Sequence, residues 1–293
     1  MFTSARRRPV RWFAAIALTA SAGIAPVVTS SSASAAYNSD ACGVKLAKST
    51  GGTWKCSFVD DFDGTKLDTT KWTAMDTSAV GWYKGDTCFL KDQGYRVRSG
   101  RLDLTASERA PFFCKTPSGG FTTQHVGGAI ASAGKFAQTY GRFEARMKLP
   151  TFKGTGLHGG FWLNPQKPTY GAWPASGEVD VAEWFSVWAD KMYPSLHYSG
   201  STNEDTAWDC PAGTAGAFHT YGVEWSATVM NFYYDNKLCF SRSWTPTGLI
   251  APQPFDQPFY NVLTWGAGMG QNAADDSTVF PSTLTVDYVK TWY

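Results

Sequence analysis

Residues 140–149 read YGRFEARMKL, and from the third residue onward charged and apolar side chains alternate. Successive side chains of an extended chain point to opposite sides, so the apolar members of this stretch share one face. They are Phe143, Ala145, Met147 and Leu149. An apolar face opposite a charged one is typical of a strand that is buried on one side. The stretch therefore predicts a β-strand that covers a core.

The same alternation recurs along the chain. Residues 101–105 and 283–288 alternate in this way, and Asp235 and Asn236 separate two short apolar runs as a hairpin turn would. No stretch carries a helical stripe over 12 residues, while 29 glycines and 15 prolines interrupt the chain at short intervals. The pattern predicts an all-β fold, with a sandwich of two antiparallel sheets as the leading architecture.

Residues 1–36 differ in composition from the rest of the chain. Four arginines, at positions 6, 7, 8 and 11, precede an apolar run from Trp12 to Val28 and a tract that contains Ala33-Ser34-Ala35. This order is typical of a secretory signal with an A-x-A cleavage site. A membrane anchor, the alternative, needs roughly 20 strongly apolar residues, and the run falls short of that. We expect a leader at residues 1–36 and one secreted, monomeric domain at residues 37–293 that contacts no membrane.

The charge of the chain argues against a nucleic-acid partner. The formal net charge is +2, and loss of the four leader arginines, with no acid lost, would leave −2. No block of Lys and Arg remains that could follow a phosphate backbone. The expected partner is a molecule without strong charge.

Six cysteines fit export to an oxidising compartment, because an even number behind a signal peptide favours disulfides. Six cysteines allow fifteen connectivities. A zinc site, the alternative, would need a C-x-x-C type of spacing, which the chain does not have. As a working hypothesis we pair neighbours along the chain: Cys42–Cys56, Cys88–Cys114 and Cys210–Cys239.

The segment GEVDVAEWF at residues 177–185 carries three acids in a stretch with the composition of a strand. Glu178 and Asp180 share a face, whereas strict alternation would place Glu183 on the opposite face. One bulge near residues 181–182 absorbs a residue and returns Glu183 to the face of the other two acids. A helix would instead point the two glutamates about 140° apart. We therefore predict a bulged strand with three acids on one face.

Two carboxyl groups placed in this way suit the hydrolysis of a glycosidic bond with retention. Four strand steps separate the two glutamate Cα atoms by roughly 13 Å, and inward-leaning side chains reduce the gap to roughly 5 Å, close to the spacing in retaining glycosidases. We assign Glu178 as the nucleophile and Glu183 as the protonated acid that later acts as base. Asp180 is expected to hydrogen-bond to Glu178 and to help keep Glu183 protonated. The alternative is a strand face with ordinary solvated acids.

The chain resembles glycoside hydrolase family 16, and the resemblance extends through nearly all residues after the leader. Residues 178–183 look like the signature of that family in its bulged form. Residues 58–64, 140–150 and 286–289 are similar to strands at the beginning, middle and end of its domain, and residues 196–198 resemble the Leu-His-Tyr segment of its β-1,3-glucanases. Several matches in the same order are far more specific than the signature alone.

The resemblance implies a β-jelly-roll sandwich whose concave sheet forms an open cleft, and the same roles for the three acids. It favours an endo-β-1,3-glucanase that needs no cofactor. Mixed-linkage glucan or a galactan such as agar or carrageenan is an alternative substrate, and a transglycosylase or a non-catalytic lectin is an alternative function. Ala182, where the family often has Met, and residues 263–267, where an Asn-containing segment is expected, leave the linkage open.

Aromatic and imidazole groups supply the remaining candidates for substrate contact. Apolar faces of sugar rings stack on aromatic side chains, and 13 tryptophans are more than a core needs. The resemblance singles out Trp173 as a platform, and the further candidates are Trp184, Trp208 and Trp265. His197 is expected to contact the substrate or Asp180. We expect structural roles for the other three histidines.

Two further features receive minor predictions. Residues 154–159 match G-x-G-x-x-G but leave no room for the helix of a dinucleotide site, so we expect a flexible loop at the rim of the cleft. The resemblance also implies a structural calcium on the convex side, for which Asp61 and Asp287 are the candidate ligands.

Overall fold

Nineteen β-strands and one short α-helix form the regular structure of residues 39–293, the part of the chain that the computed structural model describes. The predicted leader at residues 1–36 lies outside the described residues. The helix α1 spans Thr77–Val80, and 3₁₀ helices span Ser186–Trp188, Asn203–Asp205 and Gly270–Asn272. The strands are β1 (Ser39–Asp40), β2 (Gly43–Val44), β3 (Cys56–Asp60), β4 (Thr73–Ala74), β5 (Thr87–Phe89), β6 (Tyr95–Val97), β7 (Leu102–Thr116), β8 (Gly119–Ala131), β9 (Gly141–Lys148), β10 (Leu157–Pro165), β11 (Glu178–Phe185), β12 (Lys191–Met192), β13 (Ser195–His197), β14 (Cys210–Pro211), β15 (Phe218–Trp225), β16 (Met230–Tyr234), β17 (Lys237–Arg242), β18 (Phe259–Ala267) and β19 (Ser282–Trp292).

The strands form two layers that are joined by one hairpin. The front sheet has the order β13-β11-β10-β18-β8, with β4 beside β8, and the rear sheet has the order β7-β19-β9-β15-β16-β17, with β3 beside β19. The long strands β7 and β8 pair with each other and connect the sheets, because β7 also pairs with β19 and β8 with β18. Among the described strands, only β5 and β8 pair in parallel. The predicted antiparallel sandwich is confirmed.

The core lies between the two sheets and follows the predicted alternation. All four apolar residues of residues 140–149 are buried, and they face apolar residues of β10 and β11 such as Phe161 and Val179. The predicted turn at Asp235 and Asn236 joins β16 to β17, and both residues have the positive φ angles that a two-residue hairpin turn requires.

Three disulfides join the cysteines in the predicted pairs, Cys42–Cys56, Cys88–Cys114 and Cys210–Cys239. Their Cα–Cα distances of 5.5, 5.9 and 5.8 Å lie in the range usual for disulfides. The second of them ties β5 to β7, next to the front sheet. Within residues 39–293 no helix is long and apolar enough to cross a membrane.

The two candidate calcium ligands each pair with a basic side chain. Asp61 pairs with the Lys290 ammonium at 3.2 Å, and Asp287 pairs with the Arg146 guanidinium at 2.5 Å. The two acids belong to no shared cluster of His, Cys, Asp and Glu ligands among the described residues. These contacts do not support calcium at Asp61 and Asp287, which stays a prediction.

Candidate active site

The bulge in β11 brings the three acids together. Residues of β10 lie opposite Asp180 and Ala182, so Val181 has no partner across this strand pair. The predicted bulge is therefore confirmed. It returns Glu183 to the face of Glu178 and Asp180, and all three acids line one cavity of about 410 Å³ on the outer face of the front sheet.

The floor of this cavity requires two adjacent glycines of β10. A Cβ atom on Gly160 would collide with the carbonyl oxygen of Ala182, and one on Gly159 would collide with the backbone of β18. Both clashes involve backbone atoms, which a change of rotamer cannot relieve. The glycine motif thus serves close strand packing, and the predicted loop gives way to a strand from Leu157 onward.

His197 lies beside the first two acids. It is opposite Glu178 in the pairing of β13 with β11, and its Nε2 lies 2.8 Å from Oδ2 of Asp180. The predicted contact between His197 and Asp180 is thus confirmed. Asp180 bonds to His197 in place of the hydrogen bond to Glu178 that we expected. Burial and the charge of Asp180 raise the pKa of Glu178 to about 8. Burial lowers the pKa of His197, but its bond to Asp180 and the surrounding acids outweigh burial and raise it to about 9.

Glu183 has two different neighbours, both on its Oε1 atom. The Nε2 atom of His158 lies 2.8 Å away and the Nζ atom of Lys84 lies 3.4 Å away. Burial lowers the pKa of His158, so a neutral imidazole donates its N–H to the carboxylate. Burial alone would raise the pKa of Glu183, but the bond from His158 and the charge of Lys84 lower it to about 2.

The two glutamates therefore carry charge in the reverse of the predicted order when the cleft is empty. We predicted an ionised Glu178 and a protonated Glu183, whereas the structure favours a proton on Glu178 and an anionic Glu183. The physical reason is the pair of contacts from His158 and Lys84 to Glu183, which the interpretation of the sequence did not place near the acids. Both arrangements hold the same number of protons, so transfer of one proton from Glu178 to Glu183 converts one into the other.

A larger cavity of about 1360 Å³ continues the first one across β10 and β18 toward β4. Both cavities are lined by Trp82, Lys84, Trp162 and Glu178. The ring of Trp173 is 64% exposed at this cavity and its centre lies 5.9 Å from that of His197. Other side chains in the lining include Met75, Asn164 and Tyr260. The two cavities form one open cleft that crosses the strands of the front sheet.

On the other side of Glu183 a chain of aromatic rings leads away from the acids. The ring of Phe185 packs on His158 and on Tyr193, and Tyr193 in turn packs on Trp208. Trp208 is 56% exposed, and Trp188, which contacts Phe185 and Tyr193, is 42% exposed. The acids thus lie between two aromatic regions, one toward β4 and one beyond β13.

Comparison with known proteins identifies the family. Residues 54–293 match the family model described as "Beta-porphyranase A-D, GH16 domain". The chain belongs to glycoside hydrolase family 16. The predicted resemblance is confirmed, and the family accounts for the jelly-roll architecture.

Relatives within family 16 differ in their named activities. The glucan endo-1,3-beta-glucosidase A1 of Niallia circulans is 30% identical over 261 residues, which cover 80% of this chain and 37% of that protein. The keratan-sulfate endo-1,4-beta-galactosidase of Sphingobacterium multivorum is 30% identical over 238 residues, which cover 80% of this chain and 54% of that protein. This chain thus matches only part of each. The laminarinase structure from Flavobacterium sp. UMI-01 superposes with a TM-score of 0.69 at 27% identity, over 82% of this chain and 100% of that one.

Two of the predicted tryptophan platforms of this family 16 protein lie in its core. Trp184 and Trp265 are fully buried and stack on each other with ring centres 5.5 Å apart. For Trp184 the reason is the bulge, because the residue that follows Glu183 must point to the opposite side of the sheet. The prediction that Trp184 and Trp265 bind substrate is therefore wrong. Trp173 and Trp208 are exposed, and their role stays a prediction.

Two residues that contact Glu183 in the family 16 cleft were missed. His158 was expected to be structural, although alternation along β10 places it on the same face as Trp162, next to the acid-bearing strand. That period of two was a signal that could have revealed it. Lys84 gave no such signal, because it reaches Glu183 from 99 positions away through tertiary packing.

Proposed function

We propose that the protein is a secreted retaining endo-glycosidase that cleaves a β-linked polysaccharide, with Glu178 as the nucleophile and Glu183 as the acid/base. The observation that supports this proposal is the bulged strand, which gathers three carboxyl groups on the floor of an open cleft. A cleft open along its length admits internal segments of a polymer, which suits endo cleavage. Carboxyl groups alone carry this chemistry, so no cofactor is required.

The reaction would proceed in two displacements. In the first, the Glu178 carboxylate bonds to the anomeric carbon, the glycosidic C–O bond breaks, and Glu183 gives its proton to the departing oxygen. In the second, Glu183 takes a proton from water, the water oxygen bonds to the anomeric carbon, and the ester to Glu178 breaks. His197 would hold Asp180 beside the nucleophile through their 2.8 Å contact.

We propose β-1,3-glucan as the substrate, supported by the glucanase relatives and by residues 196–198, which resemble the corresponding segment of β-1,3-glucanases. A β-galactan is the second candidate. It is favoured by the description of the matching family and by the galactosidase among the relatives.

Digestion of several polymers tests the proposal. The purified protein is incubated with laminarin, lichenan, agarose and carrageenan, and ¹H NMR follows the anomeric form of the first product. We expect β-configured reducing ends from laminarin. An inverted anomer would overturn the mechanism, and binding without product from any polymer would favour a lectin.

A matched pair of variants tests the assignment of the nucleophile. Glu178→Gln should lower kcat by on the order of 10³-fold or more, because the amide cannot form the glycosyl ester. Glu108→Gln, which alters an exposed glutamate on β7, should leave the rate unchanged. A Glu178→Gln protein with normal turnover would refute the assignment. Recovery of the protein from culture medium, with an N-terminus near residue 37, would test secretion.

A further inference from the structure

The contact between Lys84 and Glu183 has no part in the double-displacement mechanism. An acid that must deliver a proton is here paired with an ammonium group, at 3.4 Å, and with an imidazole N–H on the same oxygen. Direct charge-assisted bonds from ammonium to carboxylate are usually about 2.7–2.9 Å long, so this pair is loosely held. The Lys84 side chain is 36% exposed, and it borders both cavities of the cleft together with Glu178.

The backbone that carries Lys84 is firmly anchored. On one side the ring of Trp82 stacks on the ring of Phe89, with ring centres 5.0 Å apart. It also contacts the ring of Trp162 at a tilt, with ring centres 5.5 Å apart. On the other side the Thr87 hydroxyl accepts a bond from the Ala267 N–H at 2.8 Å, and the next residue is the disulfide-bonded Cys88. Segment 81–86 is therefore held against the front sheet, while the long side chain of Lys84 can move within the cleft.

We propose that Lys84 is a positioning residue that acts through Glu183: its ammonium keeps the Glu183 carboxylate anionic in the empty cleft and withdraws toward Glu178 when a saccharide enters. Withdrawal moves one positive charge from the acid to the nucleophile. The proton on Glu178 then transfers to Glu183, and no proton is gained or lost. The inference rests on the proposed function, because it explains how Glu183 acquires the proton that it must give.

The other groups that face Glu183 do not supply this control. His158 on β10 is buried and bonded to Glu183, so it has no room to withdraw. Asp180 and Glu178 on β11 are acids, whose charges favour a proton on Glu183. His197 on β13 is cationic but is bonded to Asp180. Among the described residues, Lys84 is the cation that both touches Glu183 and has free space beside it.

A direct titration tests the contact without any substrate. The side-chain carboxyl carbons of glutamate are labelled with ¹³C, and Glu183→Gln identifies the Glu183 resonance. In Lys84→Met this resonance should titrate about one pH unit or more above its position in the wild type, because an opposite charge within 4–6 Å shifts a pKa by roughly one to three units. Lys84→Arg keeps the charge and should titrate like the wild type. An equal titration in all three proteins would overturn the proposal.

Kinetics then test withdrawal, on whichever polymer the wild type cleaves. The acid limb of kcat/KM reports protonation of Glu183 in the free enzyme and should move to higher pH in Lys84→Met by the same amount as the NMR titration. The alkaline limb of kcat reports loss of the proton from Glu183 in the occupied enzyme, from which Lys84 has already withdrawn, and should stay in place. Equal displacement of both limbs would refute withdrawal, and a uniform loss of rate with unmoved limbs would indicate a merely structural lysine.

The two proposals can fail separately. If the wild type cleaves no polymer, the proposed function is wrong, while the titration still decides whether Lys84 controls Glu183. If the wild type is active and Lys84→Met leaves both the titration and the limbs unchanged, only the role of Lys84 is wrong. Unfolding midpoints of the variants, measured beside the wild type, establish that each variant is folded.

Discussion

Replacement of the nucleophile should remove activity and at the same time stabilise the fold above neutral pH. Burial and Asp180 raise the pKa of Glu178 from its ordinary value of 4.5 to about 8. Between these two pH values the folded protein keeps a proton that the unfolded chain has released, so rising pH destabilises the fold. The side-chain amide in the variant Glu178→Gln does not titrate, and the variant should escape this loss.

The magnitude follows from linkage. A pKa difference of this size corresponds to roughly 4–5 kcal/mol when it acts in full, at pH 8 and above. The titrations of Asp180 and Glu178 are coupled, so part of this free energy belongs to Asp180. A buried amide also has a desolvation cost of its own. We therefore expect about half of the full value, on the order of 2 kcal/mol in favour of Glu178→Gln at pH 8. Well below pH 4.5 this site is protonated in both the folded and the unfolded state, and the pH-dependent part of the difference should vanish.

Urea unfolding at pH 4.5, 6 and 8 measures this effect on the wild type, on Glu178→Gln and on the exposed control Glu108→Gln. The gap between the wild type and Glu178→Gln should grow steadily with pH, while the control should follow the wild type. A gap that does not depend on pH, or a variant less stable than the wild type at pH 8, would refute the reasoning that Glu178 is held protonated by its surroundings.

Three further predictions concern the cleft, the core and metals. Trp173→Ala should weaken oligosaccharide binding by roughly two- to tenfold, because a ring-stacking contact contributes about 0.5–1.5 kcal/mol. Calorimetry on Phe113→Ala, an exposed aromatic outside the two cavities, is the control for a nonspecific effect. Trp184→Ala should lower the free energy of unfolding by about 3–5 kcal/mol, because it removes one of two stacked, buried indole rings and leaves a cavity. A loss below about 1 kcal/mol would contradict the place of Trp184 in the core. A chelator should leave the unfolding midpoint unchanged, because Asp61 and Asp287 already pair with basic groups. A lower midpoint would instead support the predicted calcium site.

Local sequence was enough to predict the strands and the bulge because both depend on alternation along one segment. Residues 140–149 and 177–185 each indicate which side chains share a face, and the structure agrees with both. The charged face of β9 shows where such reasoning ends. Arg142 and Glu144 are buried as well as charged, because Arg142 pairs with Glu224 of β15 and Tyr288 of β19 donates to Glu144. These partners lie more than 80 positions away, beyond any local pattern.

The tryptophans show that the alternation rule must also be applied to the residue that follows a predicted site residue. The same bulge that places Glu183 in the cleft turns Trp184 into the core, so the burial of Trp184 followed from a feature that was already predicted. A search for platforms by residue type alone overlooked this consequence. Trp265 follows the same rule, since it lies opposite Gly159 and points away from the cleft face that Thr264 lines.

The location of the proton could not be predicted from the acid-bearing strand, because charges on other elements decide it. On β11 alone the three carboxyl groups repel one another and nothing on the strand distinguishes Glu178 from Glu183. His197 of β13 holds Asp180, and Lys84, on the segment that precedes β5, contacts Glu183. The strand therefore fixes where the acids lie, while its neighbours fix which acid is ionised. A lysine that reaches the acid/base from an anchored segment gives a substrate a way to change that order by entering the cleft.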